Sequence, residues 1–93
     1  MGAIHFSAIQ SGSIALNPDN IADGGRGTVA ATITGLAAGD ILLLYPPATL
    51  NAGLGYAGHR VTANTVTVEL YNGSGGAIND GETTWSYVWI DCT

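Results

Sequence analysis

Alternation of apolar and polar residues is the strongest pattern in this chain of 93 residues. In the segment 65–71, Val66, Val68 and Leu70 fall on one side of an extended chain, and threonine, glutamate and tyrosine fall on the other. A repeat of two residues is the signature of a half-buried β-strand. No long run of the sequence places apolar side chains at helical spacing. The pattern therefore predicts an all-β domain.

Seven short segments share this extended character, and residues that favour turns separate them. They span 3–9, 13–16, 26–34, 41–45, 59–62, 65–71 and 83–91. Strands that recur about every ten residues are typical of an antiparallel β-sandwich, with an Ig-like or jelly-roll-like arrangement. We expect residues 1–93 to form one such domain.

Glycine, proline and asparagine mark the predicted breaks between the strands. Residues 11–12 (Ser-Gly) are predicted to turn the chain, and residues 63–64 (Ala-Asn) are predicted to close a hairpin. The glycine-rich segment 48–58 is predicted to be a connector between the two sheets. The segment 41–45 is apolar at every position and ends at Pro-Pro (46–47). Such a run is typical of a strand that is covered on both faces.

The last predicted strand places three aromatic side chains, Trp85, Tyr87 and Trp89, on one face. The opposite face carries two small polar residues and two aliphatic ones. Three explanations stay open for the aromatic residues: they fill the core, they form a subunit or capsid interface, or they offer a platform on which a sugar stacks. Tyr56 and Tyr71 are further candidates for an interface with a partner.

The chain is poor in charge, because 10% of its residues are charged and 46% are apolar. A typical domain carries roughly 25% charged residues. Either the surface has a neutral coat of threonine, serine, asparagine and glycine, or much of it meets other subunits, where charged residues are depleted. We favour the second explanation, since so short a chain has little interior for its aromatic residues. It predicts an oligomer or a component of an assembly.

The net charge of −5 argues against nucleic acid and against an anionic membrane as partners. Binding to phosphate groups needs several basic side chains, and Arg26 and Arg60 are the only two arginines in a chain without lysine. The first ten residues lack the basic start and apolar core of a signal peptide. No segment is apolar over the roughly 18 residues that a membrane-spanning helix needs. We expect synthesis in the cytoplasm.

Residues that often carry out chemistry are few and scattered. His5 and His59 are the only histidines, and Cys92 is the only cysteine, so no disulfide can form within the chain. Neither the ligand spacing of a zinc site nor the Gly-x-Ser-x-Gly motif of a hydrolase is present. The oxygen-bearing residues of 79–82 lack the spacing of an EF-hand and fit a turn. We predict no catalytic residue, no cofactor and no metal ligand.

A series of short motifs runs through residues 26–91. It consists of an alternating Thr/Ala strand (28–34), Gly-Asp followed by an apolar strand and Pro-Pro (39–47), Leu-Gly-Tyr (54–56), Val-Thr-Val-x-Leu-x-Asn (66–72) and Thr-Trp (84–85). The order of these motifs resembles that of small structural proteins of tailed-phage virions. The resemblance covers about two-thirds of the chain.

The resemblance implies a capsid decoration protein, also called a cement protein, that stabilises the phage head by binding its outer surface. The implied partners are the major capsid protein and further copies of the chain itself, as a dimer or trimer. Synthesis in the host cytoplasm and a final location on the virion follow from the same resemblance. Because the shared motifs are those of strands and turns, they transfer no site residues. A tail, baseplate or adsorption component, or a carbohydrate-binding module that uses Trp85, Tyr87 or Tyr56, is the alternative.

Overall fold

The structure, a computed structural model, describes residues 8–18 and 20–92. Within these residues the chain forms six β-strands and no helix. The strands are β1 (Ala8–Leu16), β2 (Arg26–Thr32), β3 (Ile41–Tyr45), β4 (Leu54–Thr62), β5 (Thr65–Asn72) and β6 (Thr83–Asp91). The prediction of an all-β fold is confirmed.

The strands form two antiparallel sheets of three strands each. Sheet 1 has the order β1-β6-β3, and sheet 2 has the order β2-β5-β4. The hairpin turn at 63–64 joins β4 to β5, and Asn64 adopts a φ of 57° there. Every other connection between the described strands passes from one sheet to the other. The two sheets pack face to face, so the predicted antiparallel β-sandwich is confirmed.

The described residues contain one strand fewer than predicted because β1 is continuous. The predicted turn at Ser11-Gly12 is wrong, since both residues lie within β1 and pair with β6. Gly12 is needed here for packing, because a Cβ atom at this position would lie 2.6 Å from the hydroxyl oxygen of Tyr87. Most of the predicted first strand, 3–9, lies outside the described residues, and its last two residues lie in β1.

β4 begins earlier than the sequence pattern predicts, at Leu54 rather than at His59. The segment 48–58 is therefore a connector only in its first part. Between Tyr56 and Gly58 the register with β5 shifts by a β-bulge, and the extra residue interrupts the alternation of faces. Gly58 adopts a φ of 148°, which a residue with a side chain rarely takes. Because the bulge interrupts the alternation, the sequence pattern does not indicate the first part of β4.

The core lies between the two sheets and receives side chains from all six strands. Its buried hydrophobic residues are Ile14, Leu16, Ile21, Ile33, Leu36, Leu42, Leu44, Leu54, Val66, Val68, Leu70, Ile78, Trp85 and Trp89. The predicted inward face of 65–71 is confirmed, because its two valines and its leucine are completely buried. The ring of Tyr56 meets Trp85 edge-on, with ring centroids 5.5 Å apart.

Buried Asn72 organises one end of the sandwich. Its side-chain amide donates hydrogen bonds to the carbonyl oxygens of Ile21 and Gly76, at 2.8 and 2.7 Å. Its side-chain oxygen accepts from the backbone N–H of Ser74 at 3.0 Å. One side chain thereby joins the loop after β1 to the loop after β5.

Asp40 organises the opposite end and is also buried. Its carboxylate accepts hydrogen bonds from the backbone N–H groups of Cys92 and Ala37, both at 2.9 Å, and from the indole N–H of Trp89 at 3.0 Å. The Cys92 and Ala37 amides, and to a smaller extent the Trp89 indole, hold the pKa of Asp40 below its usual value. The residue before β3 is thus bonded to Trp89, near the end of β6, and to Cys92, which directly follows that strand.

Candidate interaction face

The outer face of sheet 1 is uncharged in the part of the chain that the structure describes. Alternate residues of its three strands form it: Ile9, Ser11, Ser13 and Ala15 from β1, Thr84, Ser86, Val88 and Ile90 from β6, and Ile41, Leu43 and Tyr45 from β3. The intervening residues of each strand point the other way, toward sheet 2. No described residue forms a second layer over this outer face.

The register of sheet 1 brings the large side chains of this face together. Its three rows, each written from β1 through β6 to β3, are Ile9-Ile90-Ile41, Ser11-Val88-Leu43 and Ser13-Ser86-Tyr45. The apolar members of the first two rows are direct neighbours across the strands, and Tyr45 lies two residues from Leu43 on the same face of β3. We call them the apolar patch, which consists of Ile9, Ile41, Leu43, Tyr45, Val88 and Ile90.

Most of the apolar patch is open to solvent. Ile9 is 59% exposed, Tyr45 56%, Leu43 45% and Ile41 38%. Among the described residues, Tyr71 is the only other large hydrophobic side chain with comparable exposure. Contiguous apolar patches on a protein surface commonly mark contact sites. Covering this one is favourable, because each Å² of apolar surface removed from water contributes about 25 cal/mol.

β3 accounts for half of the apolar patch. Its residues Leu42 and Leu44 are buried in the core, whereas Ile41, Leu43 and Tyr45 point outward. The prediction that the segment 41–45 is covered on both faces is therefore wrong for the single chain. The physical reason is that sheet 2 packs against only one face of sheet 1, and among the described residues no further layer covers the other face.

The outer face of sheet 2 has the opposite character. Threonine recurs along it, and it carries both arginines of the chain, Arg26 and Arg60. Nη1 of Arg26 donates to Oε1 of Glu69 at 2.7 Å, and both side chains are open to solvent. An exposed ion pair of this kind stabilises a protein by only about 0–1 kcal/mol. This face interacts favourably with water and needs no cover.

A shallow hollow lies on sheet 2 next to the bulge of β4. Thr28, residues 57–60, Thr67 and Glu69 line it, and its volume is about 160 Å³. Beside the hollow, the Tyr56 hydroxyl forms a hydrogen bond with Nδ1 of His59, and the two rings stack with centroids 6.0 Å apart. Burial raises the pKa of Tyr56.

The hollow brings together few reactive groups. Hydrolytic catalysis of the triad type needs a nucleophile, a base that contacts it and a third group that orients the base. The ring nitrogen Nδ1 of His59 is already bonded to the phenol of Tyr56. Over residues 8–18 and 20–92, no three histidine, cysteine, aspartate or glutamate side chains lie close enough to hold a metal ion.

Two of the five aromatic residues considered for a partner interface belong to the core. Trp85 is 0% exposed and Trp89 is 6% exposed, so a partner of the folded domain cannot reach them. Their indole N–H groups bond within the protein, to the Thr83 hydroxyl at 3.1 Å and to Asp40 at 3.0 Å. For these two residues the core explanation is confirmed. A sugar platform on Trp85 is excluded in this fold by the same burial.

The other three aromatic residues lie apart from one another. Tyr87 and Tyr56 are half-buried and pack against the core from sheet 1 and sheet 2, respectively. Tyr71 is 44% exposed and lies on the outer face of sheet 2, opposite Arg26 in the register. The five residues therefore do not form one surface. An interface at Tyr71 stays a prediction.

The apolar patch was not among the sites that the sequence pattern indicated. Its strongest sequence signal is the fully apolar segment 41–45, which the pattern explains equally well as an interior strand. A second signal is the aliphatic pair Val88 and Ile90, on the face of β6 opposite the tryptophans. Only the register shows that these residues and Ile9 are neighbours.

No helix in the described residues is long and apolar enough to cross a membrane.

Comparison of the chain with protein-family models, with curated proteins and with solved structures found no match.

Proposed function

We propose that this protein is a structural component of a tailed-phage virion, namely a capsid decoration protein that stabilises the head from its outer surface. It acts through contacts between proteins rather than through catalysis. The observation that carries the proposal is the apolar patch, a contiguous uncharged surface that the described chain leaves exposed.

The distribution of charge supports a role in contact. Removing a charged group from water is costly unless a partner charge compensates it. The outer face of sheet 1 carries no charged side chain among the described residues, although the chain has a net charge of −5. A neighbouring protein can therefore cover this face without burying any charge of the chain.

The choice of a phage virion rests on the resemblance of the motifs in residues 26–91. In the fold these motifs become β2, β3 with its Pro-Pro end, the start of β4, and parts of β5 and β6. They therefore contribute to both sheets of the sandwich. A decoration protein binds many equivalent positions on a shell, so contacts of modest affinity add up over the particle.

The direct test compares particles with and without the protein. We expect decorated particles to retain their contents at higher temperature and after osmotic shock, and electron microscopy to show added density on the outer surface of the head. Leu43→Arg should reduce decoration, whereas Ala30→Arg, which adds the same charge on the outer face of sheet 2, should not. Equal stability of the two kinds of particle would contradict the cement role.

The same images distinguish the closest alternative. Density on the tail or baseplate would retain the structural role but move it from the head. An adsorption module that binds sugar through Trp85 has no support in this fold, because that ring is completely buried.

A further inference from the structure

We infer that the apolar patch is the contact between two copies of this chain, which pack sheet 1 against sheet 1 about a two-fold axis nearly parallel to β6. This dimer deepens the proposed function, because the unit that decorates the head is then a dimer whose head contact lies outside the patch. It rests on the proposed function in one respect, that the patch is a contact between protein subunits.

The outer face of sheet 1 is complementary to itself. In two of its rows β3 contributes the large side chains Leu43 and Tyr45, while β1 contributes Ser11 and Ser13. A two-fold axis along β6 exchanges the two edges of the sheet between copies. Leu43 of one copy then lies over Ser11 of the second copy, and Tyr45 lies over Ser13. Large side chains meet small ones, as close packing requires.

The central strand supplies the residues on the axis. Val88 and Ile90 of one copy meet the same residues of the second copy, and Ile9 meets Ile41 in the third row. A surface that contacts itself in this way is isologous, the arrangement of two-fold dimers and the commonest symmetry among oligomers. Face-to-face sheets lie about 10 Å apart and are rotated by about 30°. An axis inclined by about 15° to β6 produces this rotation and keeps the central rows in contact.

The chemistry of the face is compatible with a second copy. Two copies each bring a net charge of −5, so a contact between them must keep their carboxylates apart. Within the described strands, neither aspartate nor glutamate lies on the outer face of sheet 1. Sheet 2 could not associate with itself as easily, because Glu69 and both arginines lie on its outer face.

The available area suits a dimer of moderate affinity. A three-stranded face is about 15 Å wide and about 25 Å long. When two copies meet, the two faces together lose about 1,000 Å² of surface to the contact, because uneven side chains add to the flat area. That area is the lower bound for a specific interface. We therefore expect a dissociation constant in the micromolar range.

The first experiment measures the mass of the full chain by sedimentation across micromolar concentrations. We expect a reversible shift from a monomer of 9.4 kDa to a dimer. Leu43→Arg should raise the dissociation constant about a hundredfold, because the guanidinium group would lose water without gaining a counter-charge. Ala30→Arg, the matched control on sheet 2, should leave the constant unchanged. Both positions are exposed, and circular dichroism verifies that both variants fold.

The second experiment tests the geometry. In a chain carrying Cys92→Ser and Ser86→Cys, the new thiol lies on the outer face of β6, next to the two-fold axis. The two thiols then point at each other across the contact, and a short thiol-reactive linker should join two chains. Thr67→Cys, on the central strand of sheet 2, is the control that should not be joined. Pairing along the β1 edges would instead hold the two copies of residue 86 about 14 Å apart.

The outcomes separate this dimer from the proposed function. A chain that stays monomeric at all concentrations, or a dimer that Leu43→Arg does not weaken, overturns the inference. If a monomeric chain binds particles and Leu43→Arg abolishes that binding, the capsid covers the patch and the proposed function stands alone. A patch-dependent dimer that never associates with particles supports the inference and contradicts the proposed function.

Discussion

The two outer faces of this sandwich differ in chemistry although strands of similar length form both. Sheet 2 presents threonines and the exposed Arg26–Glu69 ion pair, whereas sheet 1 presents isoleucine, leucine and tyrosine. Both sheets bury their inner faces in one core. Folding therefore depends on the inner faces, and the outer faces are free to differ. An outer face that remains apolar without contributing to the core is suited to association.

The largest expected effect contrasts the two sides of β3. Leu44→Ala should lower the free energy of unfolding by about 2–5 kcal/mol, because it leaves a cavity in the core. Leu43→Ala makes the same chemical change one residue away, on the outer face, and should lower it by less than about 1 kcal/mol in dilute solution. Urea denaturation of both variants measures the difference. Equal losses would show that the patch also supports the fold of the single chain.

Exchanging the chemistry of the two faces should affect association more than folding. The double variant Leu43→Thr and Tyr45→Thr gives sheet 1 the character of sheet 2. We expect it to weaken self-association about tenfold or more, since less apolar surface is buried. Its thermal midpoint as a monomer should change little. The reciprocal variant Thr67→Leu adds an apolar residue to sheet 2 and serves as the comparison, because an isolated substitution there creates no contiguous patch.

Acid should lower the free energy of unfolding through Asp40, which lies at the end of the sandwich where β3 begins. Its pKa is lowered in the folded protein, chiefly by the Cys92 and Ala37 amides. The resulting stabilisation is present above about pH 4, the ordinary pKa of an aspartate. It is lost as the pH falls through the lowered pKa of the folded state, because the unfolded chain binds the proton more tightly.

Asp40→Asn provides the control for this pH dependence. An asparagine cannot titrate, so the variant should be less stable at neutral pH and should lose less stability than the parent chain below about pH 4. Denaturation midpoints measured from neutral to acidic pH give the stability of each protein at neutral pH and its loss in acid. If the midpoints of the two proteins fall in parallel, a carboxyl group other than Asp40 causes the loss in acid. Hydrogen exchange at the Cys92 amide would report the loss of its hydrogen bond to the Asp40 carboxylate.

The smallest effect is expected on the outer face of sheet 2. Glu69→Gln removes the exposed ion pair with Arg26 while preserving the shape of the side chain. The free energy of unfolding should fall by about 0–1 kcal/mol, and added salt should reduce the difference further. A loss larger than that of Leu43→Ala would contradict the contrast between the two faces, because it would make the polar face the more important one for stability.

Sequence reasoning was most accurate where strands alternate regularly. The bounds of β6 agree with the predicted segment 83–91, and the inward valines of β5 are buried as predicted. It failed at Gly12, because Ser-Gly is typical of a turn, whereas this glycine lies within β1 and makes room for the Tyr87 ring. It also failed at the start of β4, where the bulge near Gly58 shifts the period. Both errors arise from contacts with another strand, which a local pattern does not contain.

The sequence by itself determined the all-β class, most of the strands and the inner faces of the sandwich, because alternation is a local property of the chain. The candidate site depended on tertiary structure. Strand pairing placed Ile9, Ile90 and Ile41 in one row and left β3 at an edge, covered on one side. Residues 41–45 carry the same apolar sequence whether one layer or two cover them. Which of their faces stays open was decided by how the sheets pack.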